Sequence, residues 1–238
     1  MKSPFSIGTA LRFGWEQTRL HSALVFGLVI LIAVLSVAHG IVSAHPLVSV
    51  SRGIASVLLL ILEILVSVGT TIIVLRLAKH EPATFGMVIP PWALLWRYLI
   101  ASLLVAIIVL CGIGIPGALA ALAYYSFGLT LSGKILIGIG VGVACIVGLY
   151  LLVIYSMVKF AAVDGLHSVI AILRRSMEIT QGARWQLLLF FIVLILLNIL
   201  GLIVFFVGLL VTIPVTMLSS AYVYITLCAR ADAKGTEN

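Results

Sequence analysis

Forty-five consecutive residues, from Trp185 to Ala229, carry no charge. As one straight helix they would be about 67 Å long at about 1.5 Å per residue. A bilayer's hydrocarbon core is only about 30 Å thick. The stretch must therefore turn back on itself. Asn198, Gly201 and Gly208 mark where, which gives two apolar segments at 185–203 and 206–228.

The rest of the chain reads the same way. Ser22–Val50 contains no Lys, Arg, Asp or Glu and holds a segment at 22–42. A second, 53–75, lies between Arg52 and Arg76 and is interrupted only by Glu63. A third follows Arg97, at 98–124, and a fourth, 135–158, lies between Lys134 and Lys159. Six segments suit a spanning length of about 20 residues each. Of the 238 residues, 63% are hydrophobic and 9% charged, against about 45–50% and 25% in soluble domains. The expected fold is an all-α bundle of six membrane spans forming a single domain over 1–238.

The net charge is +7, and it sits at the borders of apolar runs. That placement suits anionic lipid headgroups and excludes the basic, aromatic-studded face of a nucleic-acid binder. With six spans, twelve of the 14 Lys and Arg fall on the side holding the N-terminus, the 76–97 and 159–184 connections and the C-terminus. Arg52 and Lys134 fall on the other. The positive-inside rule then makes both termini cytoplasmic, in a prokaryotic cell membrane. Val42-Ser43-Ala44 could pass for a signal cleavage site. The preceding apolar run is too long for a signal peptide, so the first span is expected to stay.

Two segments on the basic side resemble each other. Residues 6–18, SIGTALRFGWEQT, and 168–180, SVIAILRRSMEIT, share S-x4-L-R-x3-E-x-T. On a helix the Arg and Glu, four apart, lie on one face and can pair. Leu166, Val169, Ile170, Leu173 and Met177 form an apolar stripe at helical spacing. Interfacial amphipathic helices are expected at 4–20 and 166–181, with Trp15 and Trp185 in the interfacial belt. A third, degenerate copy is expected at 83–97, making three units of interfacial helix plus hairpin.

Glu63 is the most informative single position. An ionised carboxylate at mid-membrane costs at least about 2.5–3.5 kcal/mol, so it must face the bundle interior or be protonated. Ser56, Ser67 and Thr70 fall on its face of the helix. Thr212 and Thr216, with Ser219, form a second polar stripe, expected to face Glu63. No intramembrane cation is visible as a partner. His21, His39, His45, His80 and His167 read as interface residues. Gly138 and Gly142, like Gly140, Ala144 and Gly148, offer close helix packing. Pro116 and Pro214 should bend their spans. Cys111, Cys145 and Cys228 show no metal-ligand spacing, and neither metal nor cofactor is expected. No catalytic Ser-His-Asp or Cys-His set can be assembled, so the chain reads as no enzyme.

Ala171–Leu189, AILRRSMEITQGARWQLLL, resembles the signature of a family of uncharacterised multi-pass bacterial and archaeal membrane proteins. They are similar to the membrane domain attached to some glycerophosphoryl diester phosphodiesterases. Gly112–Gly117, GIGIPG, and the spacing of Gly208, Thr212, Pro214 and Tyr224 add to the resemblance. It implies the same membrane topology. It implies no hydrolase activity, because in two-domain members the catalytic histidines and carboxylates belong to a separate soluble domain absent here.

The reading favoured by sequence is a non-catalytic membrane module that contacts lipid headgroups, or an unidentified protein partner, through Arg12, Arg174, Arg175 and Arg184. The alternative is a small transporter or channel centred on Glu63. A cavity reaching Glu63 would favour transport, and a dry, closed bundle would favour the module.

Overall fold

A computed structural model describes residues 5–44, 50–128, 130–166, 168–203 and 207–235. Residues 4 and 206, which bound two expected helices, and Lys2, His45 and His167 lie outside the described residues. Nine α-helices and one short 3-10 turn account for the described secondary structure, with no strand.

The helices are α1 (Ile7–Leu20), α2 (Ser22–Ala44), α3 (Val50–Ala78), α4 (Trp92–Phe127), α5 (Leu131–Tyr155), α6 (Val158–Val163), α7 (Val169–Thr180), α8 (Arg184–Ile203) and α9 (Val207–Gly235). Six stretches are long and apolar enough to cross a membrane: Ser22–Ala44, Gly53–Ala78, Trp92–Ser126, Leu131–Val163, Arg184–Ile203 and Gly208–Ala233. The chain is an all-α, multi-pass membrane protein.

Four segments meet at one end of the bundle. Lys79, after α3, pairs with Asp164, after α6. Arg175 of α7 pairs with Asp232 of α9 at 2.5 Å. Phe13 of α1 packs on both His80 and Tyr222. These are the segments that carry most of the cations, so this is the basic end. The tightest core lies in the same half, around Ile73, Leu77, Phe160, Ile172, Leu187, Leu218 and Tyr224, each at most 2% exposed. Towards the opposite end α4 and α5 pack chiefly on each other. Leu110, Ile115, Leu119, Ile139 and Ile146 there are exposed, as suits a hydrocarbon solvent.

The two repeat segments are the amphipathic helices α1 and α7. Ser6 caps α1 by accepting a bond from the Thr9 amide. The repeated threonines act alike: Thr18 donates to the Gly14 carbonyl and Thr180 to the Ser176 carbonyl, both buried. The apolar stripe of α7 is divided. Leu173 is buried, whereas Ile170 and Met177 are exposed.

Three expectations are corrected. No amphipathic helix occupies 83–97. Pro90 and Pro91 keep that stretch from helix, and only the 3-10 turn Phe85–Val88 forms before α4 starts at Trp92. The turn sits on α3 at Gly69, where an added Cβ would lie 2.1 Å from the Val88 carbonyl oxygen. Second, the fourth span does not end at 158 but continues to Val163. The helix breaks at Ser156–Met157 and resumes as α6, whose Phe160, Ala161 and Ala162 are buried. Third, the Gly138/Gly142 face of α5 meets nothing within 4 Å. Helix packing uses Gly140 against Ala120 and Gly148 against Ile113.

Candidate functional site

Glu63 stands midway along α3 and opens into a cavity of about 320 Å³. That lies within the range of roughly 300–1,000 Å³ typical of small-ligand sites. α2 contributes Ile32, Leu35 and Ser36. α3 contributes Glu63, Val66, Ser67, Thr70, Thr71 and Val74. Tyr98 of α4, Lys159 and Phe160 of α6 and Met217 of α9 close the far side. From Glu63 to Val74 the cavity follows α3 for about 16 Å towards the basic end, at about 1.5 Å per residue.

Glu63 Oε2 lies 3.1 Å from His39 Nδ1 on α2, and both side chains are about one quarter exposed, at 27%. Either the imidazole N–H donates to the carboxylate, or the carboxylic acid donates to the bare nitrogen. In both arrangements one proton lies between the two groups. His39 is thus the partner of Glu63 rather than an interface residue. Pairing α2 with α3 symmetrically about the 45–49 connection would put residue 55 beside His39. The helices are offset by two turns from that register, which is why the sequence does not announce the pair.

Lys159 is the second group sequence reasoning missed. It is an exposed cation near the end of the apolar stretch Leu131–Val163, and it shares the cavity with Glu63. Its position at the border of an apolar run disguised it, because the further turn of α6 buries the residues around it.

The other expected polar residues divide. Ser67, Thr70 and Thr71 line the cavity with Glu63. Thr70 and Thr71 donate to the carbonyls of Val66 and Ser67, so they offer lone pairs rather than hydrogens to a ligand. Ser56 lies two turns beyond Glu63 and is not among the cavity's lining residues. Thr212 and Thr216 do not face Glu63. Thr212 packs on Gly201, where an added Cβ would meet its Oγ1 at 2.5 Å. Thr216 donates to the Ile213 carbonyl and lines a separate cavity beyond Met217.

The four arginines also divide. Arg12 and Arg174 are exposed. Arg12 donates to Glu16 at 2.8 Å, and this bond raises its pKa above the ordinary arginine value. Arg175 is bound to Asp232. Burial works against its charge, but the bond to Asp232 prevails and its pKa rises. Arg184 donates to the Tyr150 hydroxyl at 2.6 Å, with its guanidinium over the same ring. Beneath them Asp164 accepts from both Lys79 and the Tyr224 hydroxyl, the latter at 2.9 Å. This contact ties α3, α6 and α9 together. Among the described residues no three His, Cys, Asp or Glu side chains gather as metal ligands would.

No protein-family model, curated protein or solved structure matches this chain.

Proposed function

We propose that this is a small membrane transporter in which Glu63, held by His39, binds a proton or cation reached through the cavity from the basic end. The observation that carries the reading is the cavity itself. It runs from the middle of α3 to the level of Tyr98 and Lys159 and ends on a titratable pair. A carboxylate this deep needs either a proton or a partner. An imidazole partner can hold the proton on its own nitrogen or leave it on the carboxyl, and it can swing aside for a cation. The lining is half apolar, with hydroxyl oxygens between, so water and small solutes can be accommodated without leaving buried polar groups unmatched.

The positive-inside rule supports placing the basic end in the cytoplasm of a prokaryotic cell, with both termini there. The cavity would then be entered from the cytoplasm.

Proteoliposomes loaded with a pH-sensitive dye test the reading. Under an imposed potassium diffusion potential the protein should carry protons, and Glu63→Gln should lower that flux by about tenfold or more, the loss of one charged hydrogen bond or proton site. In a background with Cys111, Cys145 and Cys228 replaced by Ala, Ser67→Cys should react with an impermeant thiol reagent from the basic side only. Equal fluxes for wild type and Glu63→Gln, together with an unreactive Ser67→Cys, would overturn the proposal.

A second reading has its own observation. Arg12, Arg174, Trp15, Ile170 and Trp185 are exposed on or beside α1 and α7. Cations beside exposed Trp and Ile suit a membrane surface with anionic headgroups. This supports a lipid-contacting or partner-recruiting module, with Arg12 and Arg174 rather than the internally bound Arg175 and Arg184 as its contacts. The resemblance of 171–189 to the phosphodiesterase-linked membrane domain is compatible with either reading.

A further inference from the structure

A second cavity, of about 430 Å³, lies between α5, α8 and α9 on the other side of Met217. Leu149 and Leu152 of α5 face Leu188 and Phe191 of α8 across it. Lys159 lines this cavity as well as the one that holds Glu63. Its ammonium lies 5.0 Å from the centroid of the Phe160 ring. It makes no hydrogen bond or ion pair with another described residue.

The depth of Lys159 follows from its neighbours. Asp164, five residues later, is level with Lys79 and Tyr224. Lys159 instead lines cavities that also reach Thr70, Val74, Met217 and Ser220, about one to two and a half turns further in. Lys159 is exposed, so its ammonium meets water in the first cavity and also faces the groove between α5 and α8. Among the described residues lining the two cavities the only carboxylate is Glu63, and His39 holds it. The hydroxyls of Ser156 and Ser220 already donate to their own helices. The site therefore offers one positive charge without a protein counterion at the head of a mainly apolar groove, in which Asn198 is the one side-chain amide among the described residues.

We propose that Lys159 binds the headgroup phosphate of an anionic membrane lipid, whose acyl chain lies in the groove between α5 and α8. The charge selects a lipid of net negative charge, and the leucine and phenylalanine walls take the chain. The site is separate from the Glu63–His39 pair, and its test does not depend on transport.

Native mass spectrometry of the purified full chain, titrated with phosphatidylglycerol or phosphatidylcholine, reads the site. Both lipids carry the phosphate, so wild type should prefer phosphatidylglycerol by about fivefold, the scale on which the choline cation of phosphatidylcholine repels Lys159. Lys159→Ala should lose that preference and Lys159→Arg should keep it. Leu152→Trp, which fills the groove, should weaken phosphatidylglycerol while leaving the cation in place. Glu63→Gln should change nothing, which separates this site from the proposed transport site. The proposal is overturned if a folded Lys159→Ala retains phosphatidylglycerol as tightly as wild type. It is equally overturned if inorganic phosphate alone displaces the lipid at millimolar concentration, since the acyl chain would then contribute nothing.

Discussion

Single residues set how closely the helices approach. At Gly69 the backbone of the Phe85–Val88 turn occupies the place of a side chain, so a methyl group there must push backbone, not a flexible tip. Gly69→Ala should therefore destabilise by about 1–3 kcal/mol, as overpacking does, and thermal unfolding in detergent should show it. Gly114, also helical but with nothing within 4 Å, supplies the contrast. Gly114→Ala should be neutral or stabilise by up to about 1 kcal/mol, because alanine is the better helix former. Equal melting temperatures for the two variants would contradict this account. The same scale explains why the candidate site was only half legible. Glu63 declared itself as a lone charge among apolar residues, and Ser67 and Thr70 followed from helical spacing. His39 and Lys159 were not readable, because the first depends on the offset between two helices and the second on a helix break that hydropathy smooths over.

At the level of elements, the spans were legible because a long apolar run has few alternatives in lipid, where every backbone group must be satisfied within the helix. The charge-free stretch Trp185–Ala229 does contain two helices, α8 and α9. α1 and α7 were legible from the repeat. α6 was not, since a six-residue helix has no periodicity of its own and depends on what packs around it. Its neighbour α7 is fixed partly by one buried bond, from Ser176 Oγ to the Ile154 carbonyl at 2.7 Å. Ile154 lies in the last turn of α5, where carbonyls lack helical partners. Ser176→Ala should leave that carbonyl unmatched and cost about 1–3 kcal/mol, measurable as a lower denaturation midpoint. Tyr224→Phe removes the hydroxyl from Asp164 and leaves Lys79 in place. It should cost about 1 kcal/mol, and a larger loss would mean that Lys79 alone does not hold the α3–α6 contact.

Across the whole molecule the charges and the contacts agree on one basic end, and orientation is testable there. A fluorescent reporter fused after α9 should fluoresce in the cytoplasm, and alkaline phosphatase in the same place should stay inactive. The reverse pattern would invert the proposed entry of the cavity. The packing of α1 along α9, with Gly14 against Ser219 and Val215, carries a further consequence. A nascent chain exposes α1 at the ribosome long before α9 exists, and the amphipathic helix must wait, most simply resting on the membrane surface, until its permanent neighbour is inserted. Assembly of the bundle therefore waits for α9, and a truncation that removes α9 should leave α1 open to proteolysis although every span before it has been threaded.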